Sequence, residues 1–250
     1  MIKAYSGEPT QVVPGPVLSL LHGFGGGPGH WAQVQAHLQT PSRAVILPGH
    51  LGRPAPRDFE EAVAQLQDEL PDGSFLVGYS LGARLALQLL SARPAHYRGA
   101  VLIGAHPGLL DPLARSERIK SDEVWARRLE SDGLQSFFEA WDQQALFAEH
   151  RVADPARDAE RRRHDPRALA ATLRALSLGK MPADPGRLQA IRCPVLLVAG
   201  ALDPKFVELG RGLAGLLPQA ELKVVPGAGH PVPEQAPEWL AALIQAASGR

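Results

Sequence analysis

FLVGYSLG, residues 75–82, places a serine between an apolar run and a helical pattern. Residues 75–77 are short and wholly apolar, as a strand covered on both faces must be. Over residues 81–92, apolar side chains recur at spacings of three and four, which predicts an amphipathic helix. A tight turn between such a strand and such a helix holds a serine hydroxyl above the sheet, and flanking glycines remove Cβ atoms that would clash there. The stretch therefore predicts a nucleophile elbow with Ser80 at its tip.

Short apolar runs and amphipathic stretches also alternate along most of the remaining chain. This alternation is typical of strands and helices wound into a parallel sheet. The class is therefore predicted as α/β, a mostly parallel central sheet flanked by helices. The predicted strands are 17–21, 44–47, 75–77, 100–103, 195–198 and 222–225, and the predicted helices are 59–70, 81–92, 206–217 and 237–247.

One region breaks this alternation. Residues 108–187 contain several charged helical patterns and no apolar strand. We therefore expect a single domain over residues 1–250, with a helical lid inserted at 108–187.

The composition argues against several classes of protein. Lys plus Arg and Asp plus Glu each number 26, so no net charge favours nucleic acid or an anionic membrane surface. The chain shows no signal-peptide pattern, and no apolar run approaches the roughly 18 residues of a membrane helix. We expect a cytoplasmic protein with no nucleic-acid or membrane partner, of unknown oligomeric state. The one cysteine, Cys193, cannot form an internal disulfide.

Two further polar residues follow predicted strands and match the needs of a reactive serine. A serine hydroxyl becomes effective when a histidine accepts its proton and a carboxylate orients the imidazole. Asp203 follows strand 195–198, and His230 follows strand 222–225. Serine, acid, histidine is the chain order of the α/β-hydrolase fold, and carboxyl ends of parallel strands share one sheet edge. We predict a triad of Ser80, Asp203 and His230, although taken alone Asp203 could cap a helix and His230 could occupy a turn.

HGFGGG, residues 22–27, forms a glycine-rich loop after the first predicted strand. In this fold such a loop supplies one amide of the oxyanion hole. We assign the two donors to the backbone amides of Phe24 and Leu81. The two glycine spacings typical of phosphate-binding loops, GxxxxGK(S/T) and GxGxxG, do not fit this loop well. No metal site is expected.

These motifs and several others together resemble one enzyme family. They look like those of the 2-succinyl-6-hydroxy-2,4-cyclohexadiene-1-carboxylate synthases of menaquinone biosynthesis, over nearly the whole chain. The selective features are Arg84 and residues 141–147, because many hydrolase-fold enzymes share the triad motifs. The chain departs from the family pattern at Asp142, Ala145, Lys180, Met181 and Pro231. The stretches that carry the resemblance are HGF at 22–24, PGH at 48–50, GYSLG at 78–82 with Arg84, WDQQALF at 141–147, residues 169–179, and DPKF at 203–206.

The resemblance implies a lyase of α/β-hydrolase fold. Its reaction is elimination of pyruvate from a cyclohexene carboxylate precursor, without a cofactor. Ser80, activated by His230, would act as the base, while the oxyanion hole stabilises developing negative charge. Guanidinium groups would bind the carboxylates of this small-molecule substrate. The substrate-binding side chains implied are Arg84, Arg118, Arg161, Trp141, Phe147 and Tyr79.

Two other interpretations stay open at this point. The same triad suits a hydrolase of carboxylic esters or carbon–carbon bonds, with Ser80 as a covalent nucleophile. A non-catalytic binding protein could also retain the fold, but binding alone does not require all three triad residues.

Overall fold

The computed structural model describes residues 17–147 and 154–249, and its core is a six-stranded sheet. Every pair of neighbouring strands is parallel. The order across the sheet is β2-β1-β3-β4-β5-β6. The predicted α/β class with a parallel central sheet is thus confirmed. The strands are β1 Leu18–Leu21, β2 Ser42–Val45, β3 Phe75–Tyr79, β4 Gly99–Ile103, β5 Val195–Gly200 and β6 Ala220–Val225.

Helices cover both faces of the sheet. The 3-10 turn Pro28–Trp31 and the short helices α1 and α9 were not predicted. Helix α4 is kinked at Gly133, where φ is 74°. The helices are α1 Ala32–His37, α2 Phe59–Glu69, α3 Leu81–Ala92, α4 Pro112–Asp142, α5 Pro155–Arg161, α6 Pro166–Ala175, α7 Pro185–Gln189, α8 Pro204–Leu216, α9 Val232–Gln235 and α10 Pro237–Ser248.

Two apolar cores explain why the central strands are almost wholly apolar. In β3, Leu76 packs into the core on the side of α2, α3 and α8. Its neighbours Phe75 and Val77 pack into the opposite core, beneath α1 and α10. Because successive side chains of a strand point to opposite faces, every residue of a doubly covered strand must be apolar.

The edge strand β2 differs most from its prediction. It spans Ser42–Val45, two residues earlier than the predicted 44–47. An edge strand pairs on one side only and tolerates exposed polar residues such as Arg43, so the apolar pattern marks its position poorly. Residues 46 and 47 instead lead into the turn at Pro48 and Gly49.

Helices α4 to α7 form an insertion between β4 and β5. The described residues within 108–187 include no strand, and residues 148–153 lie outside the described part of the chain. Helices α4 and α6 share a small apolar core that includes Leu129, Phe137 and Leu173. The action of this insertion as a lid stays a prediction. In the described ranges, no helix is long and apolar enough to cross a membrane.

Candidate active site

Ser80 occupies a strained turn between β3 and α3. Its φ of 52° and ψ of −106° lie where residues with a Cβ are rare. Two glycines permit the close approach of the flanking elements. A Cβ on Gly78 would lie 2.5 Å from the carbonyl oxygen of Gly82, and one on Gly82 would overlap the carbonyl oxygen of Leu21. This is the geometry of a nucleophile elbow.

Gly82→Ala should lower the free energy of unfolding by about 3 kcal/mol, because the added methyl meets backbone atoms that cannot move aside. The matched control is Gly212→Ala in α8, where a Cβ meets nothing within 4 Å. Gly212→Ala should raise the free energy of unfolding by about 0.5–1 kcal/mol, because alanine has the higher helix propensity. Urea denaturation of both variants checks the prediction, and equal effects at the two positions would contradict it.

Asp203 and His230 lie on the loops that follow β5 and β6. Oδ2 of Asp203 accepts a hydrogen bond from Nδ1 of His230 at 2.9 Å, and both side chains are buried. Oδ1 of the same carboxylate accepts from the amide of Phe206 at 3.2 Å. The carboxylate therefore both caps α8 and orients the imidazole, and the proton on Nδ1 leaves Nε2 with a free lone pair.

Ser80 and His230 line the same cavity. The amide of Ser80 donates to the carbonyl of Ile103, and a Cβ on the next residue, Gly104, would lie 2.6 Å from Cε1 of His230. Nε2 of His230 is buried and bonds to no atom of the described residues, so the Ser80 hydroxyl is not hydrogen-bonded to it in this structure. Hydrogen bonds between a catalytic serine and histidine are often absent or long without substrate and form or tighten when substrate binds.

The backbone amides of Phe24 and Leu81, which we predict to form the oxyanion hole, lie on the two segments that meet beside Ser80. Leu81 is the first residue of α3, so its amide has no carbonyl partner within the helix. The loop after β1 that carries Phe24 lies against the elbow, since a Cβ on Gly23 would be 3.7 Å from Cβ of Ser80. Neither amide donates a hydrogen bond within residues 17–147 and 154–249.

A buried histidine supports this loop. Nε2 of His50 accepts from the amide of Gly25 at 3.1 Å, while its Nδ1 lies 3.0 Å from the carbonyl of Pro48. Burial lowers the pKa of His50 well below its usual value, so the ring is neutral at pH 7. His50 therefore holds the backbone beside the Phe24 amide.

The cavity has a volume of about 550 Å³ and contains two of the predicted arginines, Arg84 and Arg118. Arg84 donates to the carbonyl of Leu176 at 3.0 Å. Burial lowers the pKa of Arg84 to about 10, and nearby Arg118 acts in the same direction, yet Arg84 stays protonated at pH 7. Nε of Arg118 lies 2.9 Å from Asp122, which leaves the rest of the guanidinium for other partners.

Trp141 and Phe147 form an aromatic wall of the cavity on the side of the insertion. The ring of Phe147 lies 5.8 Å from that of His230. Trp141 lies 5.3 Å from Phe24 and stacks on Phe137 at 5.3 Å. Trp141 thus serves both the small core of the insertion and the cavity wall.

Arg161 and Tyr79 line a smaller cavity of about 60 Å³, which shares Ser80 with the larger one. Nη1 of Arg161 lies 2.8 Å from Oδ2 of Asp142, one of the positions at which the chain departs from the family pattern. Tyr79 stacks on His30, with 5.0 Å between ring centroids. The structure therefore separates Arg161 from the two arginines of the larger cavity and balances its charge with Asp142.

Two cationic or basic side chains of the larger cavity were not predicted to bind substrate. Lys205 follows the predicted acid, and His106 lies three residues after β4. Asp203 was predicted because it is a polar residue that follows a short apolar strand. The same pattern also indicates His106. Within the described ranges, no group of three or more His, Cys, Asp and Glu side chains could hold a metal ion.

Comparison with known proteins identifies the family of this chain. The model of the alpha/beta hydrolase family matches residues 20–243. A 2-succinyl-6-hydroxy-2,4-cyclohexadiene-1-carboxylate synthase of Enterobacter sp. (strain 638) is 36% identical, over 96% of this chain and 94% of that protein. The synthase of Klebsiella pneumoniae subsp. pneumoniae is 36% identical over 86% of each chain. The solved structure of MenH from S. aureus is similar in fold, with a TM-score of 0.85, 24% identity and coverage of 94% of this chain and 95% of that one. The chain belongs to the alpha/beta hydrolase family and, within it, to the 2-succinyl-6-hydroxy-2,4-cyclohexadiene-1-carboxylate synthases.

Proposed function

We propose that the protein eliminates pyruvate from a cyclohexene carboxylate precursor and so forms 2-succinyl-6-hydroxy-2,4-cyclohexadiene-1-carboxylate in menaquinone biosynthesis. One observation carries this proposal beyond family membership. A serine–histidine–aspartate arrangement and two arginines line a single cavity, with Arg84 only four residues from Ser80. A neutral ester needs no such cations, whereas a substrate with several carboxylates does.

In the proposed mechanism, Ser80 transfers a proton rather than forming a covalent bond. Asp203 keeps the proton of His230 on Nδ1, so Nε2 accepts the hydroxyl proton of Ser80. The serine oxygen then removes a proton from a ring carbon of the substrate. The electron pair of that C–H bond becomes part of a new ring double bond, and the C–O bond to the leaving group breaks. The departing enolate takes the proton held on Nε2 of His230 to form pyruvate, which restores the neutral imidazole.

The oxyanion hole stabilises the charge that develops during this step. Removal of the ring proton places negative charge on an adjacent substrate oxygen. The amides of Phe24 and Leu81 are unengaged donors beside Ser80 and would donate to this oxygen. The insertion 108–187, which we infer to act as a lid on the 1–250 domain, contributes Arg118, Trp141 and Phe147 to the cavity.

Arg84→Ala distinguishes this lyase from an ester hydrolase with the same triad. We expect kcat/KM for the precursor to fall about a hundredfold or more, because a charged hydrogen-bond donor to a carboxylate is lost. Turnover of a small neutral ester should not change. The assays are pyruvate release and ester hydrolysis by the same preparations.

Arg211→Ala is the matched control, since Arg211 is an exposed arginine of α8 outside the cavity. It should leave both activities unchanged. Equal losses on the two substrates in Arg84→Ala would remove the case for carboxylate binding and favour the hydrolase.

A further inference from the structure

The loop after β4 carries a buried histidine that the mechanism above does not use. Because β4 lies between β3 and β5 in the sheet, this loop lies between the elbow of Ser80 and the loop of Asp203. His106 is 8% exposed and lines the larger cavity together with Ser80 and Arg84. His106 therefore presents an imidazole to the cavity that also contains Ser80 and His230.

Backbone geometry determines which ring nitrogen of His106 carries the proton. The amide of Gly108 donates to Nδ1 at 3.0 Å, which occupies the lone pair of that nitrogen. A neutral imidazole in this arrangement carries its proton on Nε2. Gly108 has a φ of 103°, and a Cβ there would lie 2.6 Å from Cβ of Ala183, so the turn that sets this bond requires glycine. Within residues 17–147 and 154–249, the ring of His106 makes its hydrogen bond through Nδ1 and none through Nε2, which leaves an N–H at the cavity wall.

The surroundings of His106 keep the ring uncharged. Burial lowers the pKa of His106 to about 4. Three cations from three elements act in the same direction: Arg84 of α3, Lys205 of α8 and Arg118 of α4. A neutral donor at this position adds hydrogen-bonding capacity among the cations without adding a further positive charge.

We propose that His106 contacts the substrate, donating a hydrogen bond from Nε2 to a substrate oxygen beside the carboxylates that Arg84 and Arg118 bind. This inference rests on the proposed function and extends it. His106 would then select for an acceptor at one fixed position, because a bound substrate without an oxygen there would cover this N–H and leave it unpaired.

Two substitutions separate the donor from the structural bond. In His106→Asn, the side-chain oxygen can still accept from the Gly108 amide, but the donor at the position of Nε2 is lost. In His106→Gln, the longer side chain brings an amide N–H close to that position. We expect His106→Asn to lower kcat/KM for the precursor about ten- to a hundredfold with no change in Tm, and His106→Gln to recover most of that loss.

The pH dependence distinguishes a neutral donor from a charged one, while the recovery of activity in His106→Gln distinguishes donation from a purely structural role. Since the ring is a neutral donor, the ratio of wild-type to His106→Asn kcat/KM should stay constant between about pH 6 and pH 9. A ratio that falls as the pH rises would show a protonated ring and overturn the proposal. A kcat/KM of His106→Asn equal to that of the wild type would overturn the proposal as well, while leaving the proposed function intact. Failure of the wild-type protein itself to release pyruvate would overturn the proposed function, and this inference with it.

Discussion

Asp203→Asn should lower kcat about ten-thousandfold while the protein stays folded. In the native protein, Oδ2 of Asp203 accepts the Nδ1 proton of His230. The asparagine amide presents N–H at that position, so the imidazole must move its proton to Nε2. The lone pair that would receive the Ser80 proton is then lost. Pyruvate release under saturating precursor measures the effect.

The second role of this carboxylate provides the control. Oδ1 of Asp203 caps α8 at the amide of Phe206, and asparagine caps helices about as well as aspartate. The Tm of Asp203→Asn should therefore stay close to that of the wild type. Asp184→Asn makes the same change at the exposed cap of α7 and should affect neither kcat nor Tm. A full loss of kcat accompanied by a large fall in Tm would assign Asp203 to structure alone.

Ser80→Ala should lower kcat at least about a thousandfold, because the group that exchanges protons with both substrate and His230 is removed. Ser80→Gly should be equally inactive yet more stable by about 1 kcal/mol. The reason is the φ of 52° at this position, which costs little for glycine and more for a residue with a Cβ. Denaturation midpoints and pyruvate release of both variants check the two effects together. Unchanged stability in Ser80→Gly would contradict the assignment of backbone strain to this turn.

The elbow and the Asp203 loop could be predicted from sequence because each follows a short, wholly apolar strand, and the His230 loop follows the mostly apolar residues 222–225. In a doubly covered parallel sheet such strands stand out from their neighbours, and their carboxyl ends meet at one edge. The sequence therefore predicts that Ser80, Asp203 and His230 lie close together at this edge of the sheet. The bounds predicted for the edge strand β2 were wrong because its first residues are polar and only one of its edges is paired.

The arrangement of the insertion could not be predicted in the same way. Arg118 and Arg161 both lie in charged helical patterns, yet Arg118 lines the large cavity and Arg161 pairs with Asp142 in the small one. Their separation depends on how α4, α5 and α6 pack against one another. The periodicity of a helix predicts which face is apolar but not the angle at which the helix crosses its neighbours. The tautomer of His106 depends on a turn at Gly108 whose backbone angle has no periodic signal.

The most direct test of the account is to give the purified protein its cyclohexene carboxylate precursor and measure the pyruvate formed. The account predicts one pyruvate for each precursor consumed, at a rate that Ser80→Ala abolishes. Unchanged precursor, or pyruvate release at the same rate in Ser80→Ala, would contradict it.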